Sequence, residues 1–208
     1  MKELTLEITQ SCDQYCPWCS STSYQSARHV DVETLKRTLK HYRSTCDTVR
    51  LSGGEPTQHP KFAEIYKYAE ELEYSIVLLT HGFKDFSLFA LGPYDIVVDV
   101  VNDYSLEFAH IVDKMSPHVK VSLHVVAASG NEKNILKAVE FAITEGIPLH
   151  ILKLQRQGRG QFCERSRLIT WTGINGCDRK MKITVAHDGT VSSCTALKYK
   201  SYCDGLER

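Results

Sequence analysis

The sequence predicts an α/β fold, a partial (β/α)6 barrel with a small C-terminal extension built from a β-hairpin and clustered cysteines. Three observations lead there. Strand-like and helix-like runs alternate from the N-terminus to about residue 158, the pattern of a parallel sheet with crossover helices. Six such units follow one another, two short of a closed eight-fold barrel. Beyond them the alternation stops, and four of the eight cysteines, Cys163, Cys177, Cys194 and Cys203, fall in the remainder. The expected division is a core at 1–158 and an extension at 159–208.

The elements follow in order. The first strand, 4–9, alternates apolar Leu4, Leu6 and Ile8 with Thr5, Glu7 and Thr9. A helix at 32–42 starts behind Asp31 as N-cap, and strand 48–52 follows Cys46, which is read as core packing. Helix 61–72 leads to strand 75–80, a short helix at 86–91 to strand 96–101, and helix 105–115 to strand 119–126. The last unit is a helix at 132–145, with Asn131 as N-cap and Gly146 as its stop before Pro148, followed by strand 149–154. Residues 182–193 read as a β-hairpin turning at Asp188-Gly189. Gln157-Gly158-Arg159-Gly160-Gln161 lacks the Lys-Ser/Thr ending of a phosphate loop and reads as a flexible connector.

Composition narrows the class. The 208 residues, 42% hydrophobic and 24% charged, fit one compact domain with an appendage. Lys plus Arg equals Asp plus Glu at 25 each, so no net charge draws the chain to nucleic acid or membrane. From residue 151 onwards eleven Lys and Arg face five Asp and Glu, which marks a solvated basic face or an anionic substrate. No apolar run reaches membrane-spanning length, and the first residues alternate like a strand rather than a targeting peptide. Eight cysteines without a secretory signal point to a reducing cytoplasm.

Two motifs carry chemistry. Cys12, Cys16 and Cys19 form a CxxxCxxC run directly after the first strand, three thiolates that leave one position of a metal site open. An iron-sulfur cluster suits them, and zinc with a fourth ligand is the alternative that spacing leaves open. Gly53-Gly54-Glu55-Pro56 follows the second strand. It reads as a tight turn, or as backbone that approaches a ligand closely while Glu55 offers a carboxylate to an ammonium group.

The cysteine run, with Trp18 just before its last cysteine, resembles the cluster loop of the radical S-adenosylmethionine (SAM) superfamily. Gly53-Gly54-Glu55-Pro56 matches letter for letter the motif with which that family holds the amino group of SAM. The resemblance implies a partial barrel of the radical SAM type and a [4Fe-4S] cluster on Cys12, Cys16 and Cys19. Its fourth iron would be chelated by SAM, with reductive cleavage to a 5′-deoxyadenosyl radical that abstracts hydrogen from substrate. A reductant such as flavodoxin or ferredoxin is then needed as partner. Thr80-His81-Gly82 is similar to the family's Thr-Asn-Gly, with His81 replacing Asn. Asp99, Asn102 and Asp103 flank the fourth strand end, where the family contacts the SAM ribose. His124, Ser129 and Arg156 are further candidates at strand ends.

Cys177-x11-Gly189-x4-Cys194 resembles the opening half of the SPASM and Twitch extensions, without the longer cysteine run of a full SPASM domain. The resemblance implies a Twitch-like auxiliary [4Fe-4S] cluster on Cys177 and Cys194, with Cys163 and Cys203 assigned by proximity in sequence. Zinc or buried thiols are the bland readings. Extensions of this type implicate peptide or protein modification. The rivals are a radical SAM enzyme on a small metabolite of the deazaguanine or pterin type, and a non-catalytic iron-sulfur carrier or zinc-stabilised binding module, which has no need for Gly53-Gly54-Glu55-Pro56. Catalytic residues, and an outcome as oxidoreductase, lyase or transferase, are not assigned by these residues.

Overall fold

The computed structural model describes residues 2–25, 27–83, 95–115, 119–166, 182–185 and 191–192. Among them lie eight strands, β1 Glu3–Thr9, β2 Thr48–Gly53, β3 Ser75–Thr80, β4 Asp95–Asp99, β5 Val121–Ala127, β6 Leu149–Lys153, β7 Lys182–Val185 and β8 Val191–Ser192. Four α-helices join them, α1 Val32–Tyr42, α2 Phe62–Glu71, α3 Asp103–Met115 and α4 Glu132–Glu145. The sheet order is β6-β5-β4-β3-β2-β1-β7-β8, so the first six strands stand in chain order in a parallel α/β sheet that does not close on itself. This is the expected partial (β/α)6 architecture. The expected helix at 86–91 lies outside the described residues.

The chain divides into two compact units, Met1–Asp13 with Ser23–Val77 and Ile174–Arg208, and Gln14–Thr22 with Leu78–Gly173. In the first unit β1 is flanked by β2 and β7, both parallel to it, so its ladder is paired on both edges. Its alternating sequence is buried throughout from Leu4 to Thr9, the polar Thr5, Glu7 and Thr9 as well as the apolar face. The hairpin expected at 182–193 is present as β7 and β8, paired antiparallel with Val185 opposite Val191. Its turn at 186–190 is outside the described residues. Cys46 is buried, and burial pushes its thiol pKa up, as core packing requires.

Helix α1 starts as expected. Asp31 Oδ2 accepts from the Thr34 N–H at 3.0 Å and from the Thr34 hydroxyl at 3.1 Å, and these bonds hold its carboxyl below the usual carboxylate range. Leu35 and Leu39 supply its buried stripe. After α2, Tyr74 donates its hydroxyl to the Leu39 carbonyl at 2.8 Å, tying α1 to the start of β3.

In the second unit β5 pairs with β4 and β6. Val121, Leu123, Val125 and Ala127 are buried, while Ser122, His124 and Val126 on the other face are only half-buried. Helices α3 and α4 pack on β5 through a layer that includes Phe108, Val112, Ile135 and Ala138. Strand β4 stops two residues before the expected 101, because Val101 gives its N–H to Ser105 Oγ at 3.4 Å and not to a neighbouring strand. Gly146 ends α4 at φ +72, as expected. Asn131 occupies the N-cap position but its side chain does not cap. Its Nδ2 donates to the Val126 carbonyl at 2.7 Å and its Oδ1 accepts from Asn134 Nδ2 at 2.8 Å, so the amide secures the end of β5.

Because both cap bonds of α1 rest on one carboxylate, Asp31→Ala should lower unfolding stability, read as a lower midpoint in urea titration. Asp31→Ser should recover most of that loss.

Candidate functional site

The end of β1 and the turn after β2 are docked backbone to backbone. The Gly54 N–H donates to the Thr9 carbonyl and the Glu55 N–H to the Ser11 carbonyl, each at 2.7 Å. A Cβ on Gly53, whose φ is +141, would stand 2.3 Å from Thr9 O, and one on Gly54 2.2 Å from Ser11 O. The two glycines are therefore required by the chain that leads into Cys12, independently of any ligand. Serine 11 is held further, its N–H by Thr9 Oγ1 at 2.9 Å and its hydroxyl on Gln58 Oε1 at 2.9 Å. Cys12 itself is buried, with its N–H on the Tyr24 carbonyl at 3.2 Å.

Glu55 is buried and caps the 3-10 helix Pro56–Gln58. Its Oε1 accepts from the Thr57 N–H at 3.2 Å and from the Thr57 hydroxyl at 2.7 Å. The carboxylate is thus pre-oriented by its own turn. His59 ends that turn, with Nε2 on the Val30 carbonyl at 2.9 Å and Nδ1 accepting the Lys61 N–H at 3.0 Å. Those partners fit only the neutral Nε2–H tautomer. Burial, helped by His29, holds the pKa of His59 below its ordinary value.

In the second unit the loop bearing Cys16 and Cys19 turns on itself, the Cys19 N–H donating to the Cys16 carbonyl at 3.2 Å. Cys16, Trp18 and Cys19 are half-buried. The 3-10 helix Gly158–Phe162 lies on this loop, where a flexible connector was expected. Arg159 Nε donates to the Cys16 carbonyl at 2.9 Å, and Gly160 N–H to the Cys19 carbonyl at 3.3 Å. Open carbonyls in the cysteine loop act as acceptors for a segment that, in sequence, reads only as glycine-rich.

The remaining candidates fall into different surroundings. Thr80 is buried and accepts the Gly82 N–H at 3.0 Å, and His81 is buried. Asn102 caps α3 through Oδ1, which accepts the Ser105 N–H at 3.1 Å, and gives Nδ2 to Gln14 Oε1 at 3.0 Å in the cysteine loop. Asp103 is exposed and paired with Lys137 at 2.5 Å, which holds its carboxyl pKa down. Ser129 is exposed in the turn after β5, its N–H on the Glu164 carbonyl at 2.8 Å, and Arg156 is exposed after β6. Asp99, His124 and His150 stand in one cross-strand row on β4, β5 and β6. His124 Nδ1 is 3.6 Å from Asp99 Oδ1, and the two imidazoles meet edge to face at 5.4 Å. The sequence reading missed His150, which only strand register brings beside His124. Cys163 is half-buried after the 3-10 helix, while Cys177, Cys194 and Cys203 lie outside the described residues.

A model of the Radical SAM superfamily matches residues 6–154. The chain belongs to that superfamily. Its members are enzymes that use a [4Fe-4S] cluster and S-adenosylmethionine, and the donor chemistry present fits such a cluster, since Cys12, Cys16 and Cys19 place three soft sulfur donors within eight residues of sequence. The chain is 32% identical over 133 residues to a PqqA peptide cyclase of Methylorubrum extorquens, covering 62% of this chain and 30% of the cyclase. It is 30% identical over 90 residues to the GTP 3′,8-cyclase of Haemophilus ducreyi, covering 39% of this chain and 26% of that one. It thus spans under a third of the length of these curated relatives. Among solved structures, Streptococcus suis SuiB bound to its precursor peptide SuiA superposes with a TM-score of 0.72 at 14% identity, over 99% of this chain and 61% of SuiB. The structure of anSMEcpe with bound AdoMet gives a TM-score of 0.58 at 14% identity, over 74% of this chain and 52% of anSMEcpe. Among the described residues no helix is long and apolar enough to cross a membrane.

Gly54→Ala places a methyl where the Ser11 carbonyl stands and should cost about 3 kcal/mol or prevent folding, read by urea denaturation of soluble protein. For His59 the sign follows from a lowered folded pKa. Stability is full above its ordinary 6.5 and falls as pH drops below it, because the unfolded chain takes up the proton first. Thermal melts between pH 8 and pH 5 should show this loss, and His59→Gln should flatten it.

Proposed function

We propose that the chain is a radical SAM enzyme acting in peptide or protein modification, with Cys12, Cys16 and Cys19 as ligands of the SAM-binding cluster. The observation that carries the ligand assignment is the backbone docking of Gly53-Gly54-Glu55 onto residues 9–11, immediately before Cys12. A turn that does nothing more than reverse the chain has no need of a buried carboxylate held in one orientation, on a residue whose N–H is bonded to Ser11 just before Cys12. When bound, the cluster and SAM supply a 5′-deoxyadenosyl radical for hydrogen abstraction.

Each residue has a task under this reading. Glu55, held by Thr57, presents carboxylate oxygen to the ammonium of SAM without losing conformational freedom on binding. Gly53, Gly54 and Pro56 set the backbone on which it sits. Trp18 shields the cysteine loop, and Thr80, Asn102, Asp103, Ser129 and Arg156 remain the assigned cofactor contacts at strand ends. Asn102 additionally steadies Gln14. The row of Asp99, His124 and His150 offers polar groups for a substrate. A reductant such as flavodoxin or ferredoxin supplies the electron, and the cytoplasm is the compartment suited to it.

The division of the chain into a core at 1–158 and an extension at 159–208 belongs to the same proposal. Cys177 and Cys194, with Cys163 and Cys203, would hold an auxiliary [4Fe-4S] cluster there. Peptide modification draws support from the stretch shared with a PqqA peptide cyclase, which is longer than that shared with the GTP 3′,8-cyclase. The second match keeps a nucleotide substrate as the rival.

Anaerobically reconstituted and reduced protein should convert SAM to 5′-deoxyadenosine, measured by liquid chromatography. Alanine at Cys12, Cys16 and Cys19 together should abolish it, and Glu55→Ala should raise the KM for SAM by roughly tenfold or more. Turnover that survives the triple replacement would refute the ligand assignment. Deuterium transfer from an added labelled nucleotide into 5′-deoxyadenosine, with none from any labelled peptide, would favour the rival. Residual iron and sulfide in the triple variant should report the auxiliary cluster, and their absence would remove it.

A further inference from the structure

We infer that Arg159, seated between Gly158 and Gly160, is the positioning residue of the cysteine loop, a clamp that holds the backbone of residues 16–20 and sets the electrostatics at Cys16. This rests on the reading of Cys16 and Cys19 as cluster ligands.

The loop has no regular secondary structure of its own between Cys16 and Ser20. Tyr15 is 74% exposed, and one hydrogen bond, from Cys19 N–H to Cys16 O, defines its turn. The clamp reaches it from 143 residues away in sequence. Arg159 Nε donates to that same Cys16 carbonyl, and the guanidinium carbon lies 4.1 Å from the centre of the Tyr15 ring. The Gly160 N–H takes the Cys19 carbonyl.

Gly158 is demanded by contact with the loop, and Gly160 by its own turn with the loop close behind. A Cβ on Gly158, whose φ is +53, would stand 2.6 Å from Ser20 O and 2.7 Å from Cys19 O. One on Gly160 would stand 2.5 Å from Gln155 O and 3.0 Å from Trp18 O. One short helical turn therefore donates to the Cys16 and Cys19 carbonyls, and its glycines lie against those of Ser20 and Trp18.

The choice of arginine has a chemical reason. A planar guanidinium both donates along its edge to a carbonyl and lies flat on a ring, which a lysine ammonium does not combine. It also brings a positive charge to the backbone of Cys16, the residue read as a ligand. That charge favours the more negative, reduced state of a thiolate-bound cluster and so raises its potential. Outer partners of this kind orient ligands and tune the metal without touching it.

The test uses the full chain with Arg159→Gln, Arg159→Lys, Tyr15→Ala and Tyr15→Phe. Hydrogen exchange on cluster-free protein reads the clamp directly. Exchange across residues 16–20 should quicken in Arg159→Gln and Tyr15→Ala, stay as in the parent in Tyr15→Phe, and leave β5 unchanged in all. On reconstituted protein, redox titration followed by electron paramagnetic resonance should show the reduced fraction at fixed potential falling roughly tenfold in Arg159→Gln. Arg159→Lys should restore that fraction while still losing iron to a chelator roughly tenfold faster than the parent.

Exchange and potential unchanged in a folded Arg159→Gln protein would overturn the inference. Should that variant not fold, unchanged exchange in Tyr15→Ala, at an exposed position, would overturn it instead. A parent chain that assembles no cluster would refute the cluster reading, while quickened exchange in the cluster-free variants would still support the clamp.

Discussion

Two backbone hydrogen bonds, Gly54 N–H to Thr9 O and Glu55 N–H to Ser11 O, are the constraint on which the first unit turns. They join the carboxyl ends of neighbouring parallel strands β1 and β2, where ligands of open α/β sheets gather. The bonds are short because Gly53 and Gly54 carry no Cβ, and any side chain there would collide with carbonyl oxygens at under 2.5 Å. Burial of β1 on both faces and pairing on both edges makes the partner strand unable to yield. Glu55 inherits its orientation from this rigid pair and from Thr57, and Cys12 begins its loop from the same anchor.

The second unit uses a related economy of means. Its cysteine loop is irregular, so its carbonyls need donors from elsewhere, and the turn after β6 supplies them. Asn102 adds a side-chain bond to Gln14 while capping α3, coupling the helix start to the loop. Gly53 and Gly54 in the first unit, and Gly158 and Gly160 in the second, stand where backbone meets backbone. Such positions tolerate no substitution even if the bound molecule changes, since the collision is internal.

Much of the fold was legible before any coordinates. Period-two and period-3.6 patterns placed six strands and four helices with ends mostly within two residues, and Asp31 and Gly146 acted as the residues that start and stop helices. Errors arose where side-chain chemistry competed with propensity. Val101 left the ladder because a hydroxyl four residues on took its N–H, and Asn131 turned from capping to securing β5. The segment around Arg159 was read as a connector because composition reports flexibility in isolation, whereas its partners lie 143 residues away.

By itself the sequence determined the class of chemistry: three thiolates at close spacing and a glycine-glycine-glutamate turn after a strand are local features, and local features survive in a linear text. Only tertiary structure decided which backbone the glycines press against, which tautomer His59 holds, and that His150 stands beside His124 in a row with Asp99. Each of these depends on strand register or on loop closure over long sequence separations. The physical reason is that hydrogen bonds and steric exclusion act through space at about 3 Å, a distance that sequence separation does not encode.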